Sequence, residues 1–139
     1  MAQKTLGIRL NNPLNVRYSK DNNWLGQTGS YRGFCEFESS DYGFRAAMLL
    51  LERYFFVYHY LTARSIISRF APSLENDTEA YIRYVHTCLE RSGFCSSSLI
   101  EPYTDIFFVM VRSMAFYESK FEVSVDYLRE LVNKFHLNS

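Results

Sequence analysis

Residues 104–119 read TDIFFVMVRSMAFYES, a stretch free of glycine and proline that makes a continuous helix and decides what surrounds it. At about 100° per residue, Phe107, Val111 and Met114 lie within roughly 40° of the direction in which Glu118 points. The acid therefore emerges from an apolar stripe. Burial penalises the charged form, so Glu118 is expected to keep its proton near neutrality, as a general acid must. Periodicity alone also allows a plainer reading, in which Glu118 sits in the last turn and reaches out into water.

Working outward, Ser124 caps a final helix from Val125 to about Phe135. Upstream, from Ser40, the residues Phe44, Ala47, Met48, Leu51, Phe55 and Tyr58 recur at three- and four-residue steps, with Leu49, Leu50 and Phe56 widening the face. So apolar a helix belongs at the centre. Asp41 falls in its first turn, where a carboxylate meets the helix dipole favourably. A shorter helix, Ala63 to Phe70, stops at Ala71-Pro72, because the residue before proline is pushed out of the helical region. After the loop Ser73–Glu75, Asn76 and Glu79 form a capping-box-like pair that starts a helix running to about Arg91, with Gly93 as its stop. Another boundary lies at Cys95–Ser98.

Residues 7–38 differ, being rich in Asn, Gly and aromatics. Extended pieces at Val16–Tyr18 and Gly33–Phe37 are separated by turn signals at Asn22-Asn23 and Thr28-Gly29-Ser30. The expected class is α+β, mainly α: one domain over 1–139, with a small irregular β lobe at 7–38, helices over 40–137, and the acid-bearing helix near the carboxy terminus.

Composition excludes several functions. The 139 residues are 47% hydrophobic and 17% aromatic, enough for a real core. Fifteen Lys plus Arg balance fifteen Asp plus Glu, and they are scattered, so no nucleic-acid footprint is expected. Cys35, Cys88 and Cys95 have no metal-ligand spacing and His59, His86 and His136 lie far apart, so neither metal nor cofactor is expected. The cysteines read as structural thiols, with a Cys88–Cys95 disulfide as the alternative. The start, MAQKTLGIRLNNP, lacks the apolar core of a signal peptide, and no later stretch is fit to cross a bilayer. The expectation is a monomer made in the cytoplasm, reaching anything outside the membrane only through delivery partners.

A general acid often works opposite a second carboxylate, about 5–5.5 Å away where that group attacks and about 6.5–9.5 Å away where it activates a water between them. Strand alternation in CEFES (residues 35–39) puts Glu36 and Glu38 on one face, opposite Cys35 and Phe37. Both are candidates to look into a cleft between lobe and helices. The competing reading is a solvated strand face.

The string MVRSMAFYESKF (residues 110–121) resembles the catalytic helix of lytic transglycosylases and their glucosaminidase relatives, where an apolar helix ends in a Glu-Ser pair. The resemblance implies that Glu118 is the catalytic acid and Ser119 its orienting neighbour. GIRLNNPLNVRYS, WLGQ and GFCEFESSDYGFRAA look like a segment of phage-borne virion and lysis proteins, and more loosely like the β lobe of flagellar-type glucosaminidases. FAPSLENDTEAYIRYV resembles the Glu-Thr…Tyr-Val stretch of lytic transglycosylases through Glu75, Thr78, Tyr81 and Val85. Together these blocks cover most of residues 7–121. In those enzymes the Glu-Ser helix comes first, so a circularly permuted lysozyme-like fold is implied.

Two departures stand out. Lys120 occupies a position usually held by a small residue, where its charge lowers the acid's pKa unless it points to solvent. The Gly-Leu-Met-Gln turn usual in transglycosylases is absent. Those enzymes use one Glu as acid and then base while the muramic acid hydroxyl closes an anhydro ring, so they need no second carboxylate.

The implied substrate is the glycan strand of bacterial peptidoglycan, whose clefts offer aromatics for sugar faces and amides for hydroxyls. Asn11, Asn12, Asn15, Tyr18 and Trp24 are candidates for such lining, although NNP is also a turn former and Trp24 is also fit for the core. By the family match Tyr81 touches Glu118; otherwise it only packs. Arg45 reads as a structural tie. Two alternatives to an enzyme remain: a non-catalytic structural or wall-binding module of a virion or secretion apparatus with the same shape, and a helical protein whose aromatics bind another protein.

Overall fold

In a computed structural model that describes residues 4–74 and 76–138, α5 (Asp105–Ser119) runs through the interior. It buries an unbroken run from Ile106 to Val111 and again Ser113, Met114 and Ala115, so it must be covered on nearly all sides. The cover comes from α4 (Thr78–Arg91), α6 (Val125–Phe135) and α1 (Leu6–Arg9). Around them, α3 (Ala63–Phe70) packs on α4, and α2 (Ser40–Phe56) packs on α3, on α6 and on the strand β2 (Phe34–Phe37). With β1 (Gln27–Tyr31) this gives an α+β chain that is mainly α.

α2 buries Phe44, Ala47, Met48 and Leu51, as its periodicity demands, but next buries Tyr54 and leaves Phe55 half-buried and Tyr58 exposed. The cause is the helix end. The chain leaves α2 at Val57, and His59 turns it through a positive φ of 59°, so Tyr58 never occupies the helical face its spacing suggests. α6 begins at Ser124, whose Oγ accepts from Tyr127 N at 3.0 Å. It is tied to the start of α2 through Asp41, which accepts from Tyr127 Oη and from Lys134 Nζ, the latter at 2.8 Å.

The cap of α4 lies one residue later than its pattern suggests. Asp77 Oδ1 accepts from Ala80 N at 3.1 Å, whereas Asn76 donates its amide to Pro72 O. Glu79 turns outward to Arg64 at 2.8 Å and plays no part in a capping box. A true capping box, Thr62 with Ser65, opens α3, and Ala71 before Pro72 closes it.

In the lobe, β1 and β2 pair antiparallel, with Tyr31 opposite Phe34 and Ser30 opposite Cys35. The turn between them is Arg32-Gly33, both at positive φ, 52° and 84°, the combination a two-residue hairpin needs. Thr28-Gly29-Ser30 is therefore strand, not turn, with an irregularity in register between Gln27 and Gly29. Arg17 bridges to Phe34, so the two expected extended pieces do meet. The short α1, capped by Thr5, carries too few residues for a periodic signal. All three cysteines are free thiols. No helix among the described residues is long and apolar enough to cross a membrane.

Candidate active site

The end of α5 is held by the beginning of the chain. Gly7 packs so closely on Ser119 that a methyl group there would overlap its side chain, and Thr5 Oγ1 donates to Ser119 O at 2.6 Å. From α1 the chain enters the turn Asn12–Asn15, which Asn12 fixes. Fully buried, Asn12 donates Nδ2 to Val16 O and Cys35 O, both at 2.9 Å, and accepts from Val16 N at 2.8 Å. The turn closes on Asn15 with a left-handed φ of 53°, a conformation Asn tolerates better than most residues.

That turn presents Asn15 to Glu118. Asn15 Nδ2 donates to Glu118 Oε1 at 3.3 Å, and Tyr81 Oη donates to Oε2 at 3.3 Å from α4. Tyr81 is itself buried, its ring stacked on Tyr117 at 4.2 Å. Burial pushes the Glu118 pKa up, opposed by the two hydrogen bonds and by the charge of Arg17, and the balance remains upward. Burial and the neighbouring carboxylate push the Tyr81 hydroxyl well above its ordinary range, so it stays a donor. Lys120 is exposed, with its ammonium 5.1 Å from the Phe116 ring centroid, and does not act on the acid.

Glu118 opens into a groove between the lobe and the helices. A narrow arm of about 140 Å³ is lined by Asn15, Arg17, Phe34, Phe70 and Asn76 besides Glu118. A wider arm of about 320 Å³, sharing Asn15, Arg17 and Phe70, runs past Trp24 and Tyr54 to Arg69. A larger hollow of about 390 Å³ lies elsewhere, beside Tyr84, Phe116 and Phe121. Its carboxylate, Glu122, is exposed, whereas Glu118 is half-buried and hydrogen-bonded at the edge of its own groove.

Several expected site residues lie elsewhere. Alternation along β2 buries Cys35 and Phe37, which turns Glu36 and Glu38 outward: Glu36 is half-buried beside Gly29, Glu38 is exposed, and neither lines the groove. Among the described residues lining both arms, Glu118 is the one carboxylate. Asn12 spends its amide on the turn, as shown above, and has no surface for substrate. Ser119 is fully buried with an unbonded Oγ against Gly7, a packing residue at the helix end. Tyr18 is 48% exposed and absent from the groove. Trp24 does line the wide arm, while also packing on the core. Arg45 lies against the Phe135 ring. Glu75 falls outside the described residues.

Arg17, Tyr54, Arg69 and Phe70 were not singled out by the sequence reading. Arg17 lies in the extended piece Val16–Tyr18, whose buried Val16 turns the next side chain the other way. Arg69 and Phe70 are placed by tertiary contacts of α3 that no local pattern encodes. No three His, Cys, Asp or Glu side chains among the described residues converge as a metal site.

No family model matches the chain. It is 39% identical over 83 residues to Protein P5 of Pseudoalteromonas phage PM2, an alignment covering 57% of this chain and 52% of the phage protein. The chain thus spans about half the length of the curated relative it matches.

Proposed function

We propose that the chain cleaves the glycan strands of bacterial peptidoglycan, with Glu118 as general acid and then base. The observation that carries this is a half-buried carboxyl with a raised pKa, held by Asn15 and Tyr81 at the edge of an aromatic-bearing groove. As an acid, Glu118 protonates the leaving glycosidic oxygen. The resulting carboxylate then accepts hydrogen bonds from Asn15 and Tyr81, which stabilise the state formed in that step. It next takes a proton from the attacking hydroxyl. With Glu36 and Glu38 outside the groove, the chemistry that fits best is the single-carboxylate route, in which the attacking hydroxyl belongs to the sugar itself.

In this reading the fold is lysozyme-like and permuted. The Thr5–Ser119 hydrogen bond supports it: a chain passing directly from the acid helix into the lobe would need only a short connection. A phage setting accords with the relative from phage PM2.

A second reading, a non-catalytic wall-binding or structural module, is favoured by Glu118 being the one carboxylate among the described residues that line the groove. One experiment separates them: digestion of purified peptidoglycan by the wild type and Glu118→Gln, with soluble products read by mass spectrometry. Anhydro ends lost in the Gln variant are expected. Reducing ends would assign hydrolysis, and binding without products from the wild type would leave the module.

A further inference from the structure

The wide arm of the groove holds a prepared cation. Arg69, in the last turn of α3, has its guanidinium carbon 5.7 Å from the Tyr54 ring centroid, and Tyr54 is in turn fixed edge-on by Tyr60 and Phe70. Among the described residues no carboxylate pairs with Arg69. An arginine lying over a ring uses the face of its guanidinium, which leaves the in-plane N–H groups for a planar anion gripped by two bonds. Because the stack already orders the side chain, little further freedom is lost on binding. Arg69 thus stands at the end of the wide arm away from Glu118, which lines the narrow one.

A neutral sugar does not require such a guanidinium; a ligand with a negative substituent does. Resting on the glycan reading of Glu118, we infer that Arg69 binds a carboxylate carried by the glycan strand and selects strands bearing free carboxylates, such as those on peptide stems, over neutral ones. Trp24 and Asn22, in the same arm, supply a stacking face and an amide for the sugar beside that carboxylate.

Trp24 is the single tryptophan of the chain and lines this arm, so its fluorescence reports occupancy. The test uses the full chain with Glu118→Gln to prevent turnover. It titrates soluble peptidoglycan fragments with free stem carboxylates against the same fragments after amidation. The acidic fragments should bind about ten-fold tighter or more, the scale of one charge-assisted contact. Adding Arg69→Gln should bring their affinity down to that of the amidated fragments while leaving the latter unchanged, and Arg69→Lys should restore part of the preference. Equal affinity for both probes, or a preference that survives Arg69→Gln, overturns the inference. So does the absence of any fluorescence response when the wild type releases glycan products. No response together with no products overturns the glycan reading, and the inference with it.

Discussion

Asn15 Nδ2 sits 3.3 Å from Glu118 Oε1 across 103 residues of sequence, with Asn15 in the left-handed region at φ 53°. The backbone conformation and the contact with the acid are thus properties of one residue, and they can be separated. Asn15→Gly should keep the turn while losing the contact. Asn15→Val should also strain the backbone, and so be less stable than the glycine variant by about 1–2 kcal/mol. Chemical denaturation of the pair measures this, and equal stabilities would show that the turn does not constrain φ.

Tyr81→Phe removes a donor to the carboxylate and keeps the ring stacked on Tyr117. Losing a bond to the charged form moves the Glu118 pKa further up. In carbon NMR titration of the labelled carboxyl, the midpoint should lie above that of the wild type, and product release from peptidoglycan should slow. An unchanged midpoint would remove Tyr81 from the site.

Glu118 should oppose folding at neutral pH. Its folded pKa is raised, so between the ordinary glutamate value of about 4.3 and that raised value the native state binds more protons than the unfolded one. Its contribution to stability is full below the unfolded pKa and declines as pH rises through the folded one. Glu118→Gln, neutral throughout, should therefore be stabilised relative to the wild type at pH 7, and the difference should shrink towards pH 4. Denaturation midpoints at the two pH values check the sign.

Ser119 has its hydroxyl buried without a partner. Ser119→Ala should cost no stability and even gain some, because an unmet buried hydroxyl is removed, and activity should persist. Gly7→Ala, by contrast, forces a methyl group into Ser119 and Asn12 O and should cost about 1–3 kcal/mol. Thermal melts of both variants distinguish packing from an orienting role: a Ser119→Ala protein that is stable yet inactive would return Ser119 to the chemistry.

The half-buried place of Glu118 at the groove was legible in part, because the apolar stripe of α5 points the same way as residue 118; its chemical role rests on the resemblance of the helix end. Its donors were legible less evenly. Tyr81 came from a resemblance, and Asn15 was one amide among several, since nothing local distinguishes an asparagine that ties a turn, like Asn12, from one that reaches across to a helix. The helices of 63–70 and 125–135 followed from caps and proline, which act within a few residues. Glu36 and Glu38 show the limit of alternation: it puts both on one face of β2, but which face the core covers depends on α2, and α2 covers Cys35 and Phe37. Arg69 enters the groove only through the way α3 packs on α4 and α2.

The bond from Thr5 to Ser119 joins positions 114 residues apart, and that separation sets an order of events during synthesis. The turn bearing Asn15 and Arg17 leaves the ribosome about a hundred residues before Glu118 does. The amino-terminal segment must wait for α5 before its docking partner exists, so closing the site is a late, long-range step of the kind that slows folding. A nascent chain truncated before α5 contains one wall of the groove and no acid, and the finished groove exists only once α5 has been made.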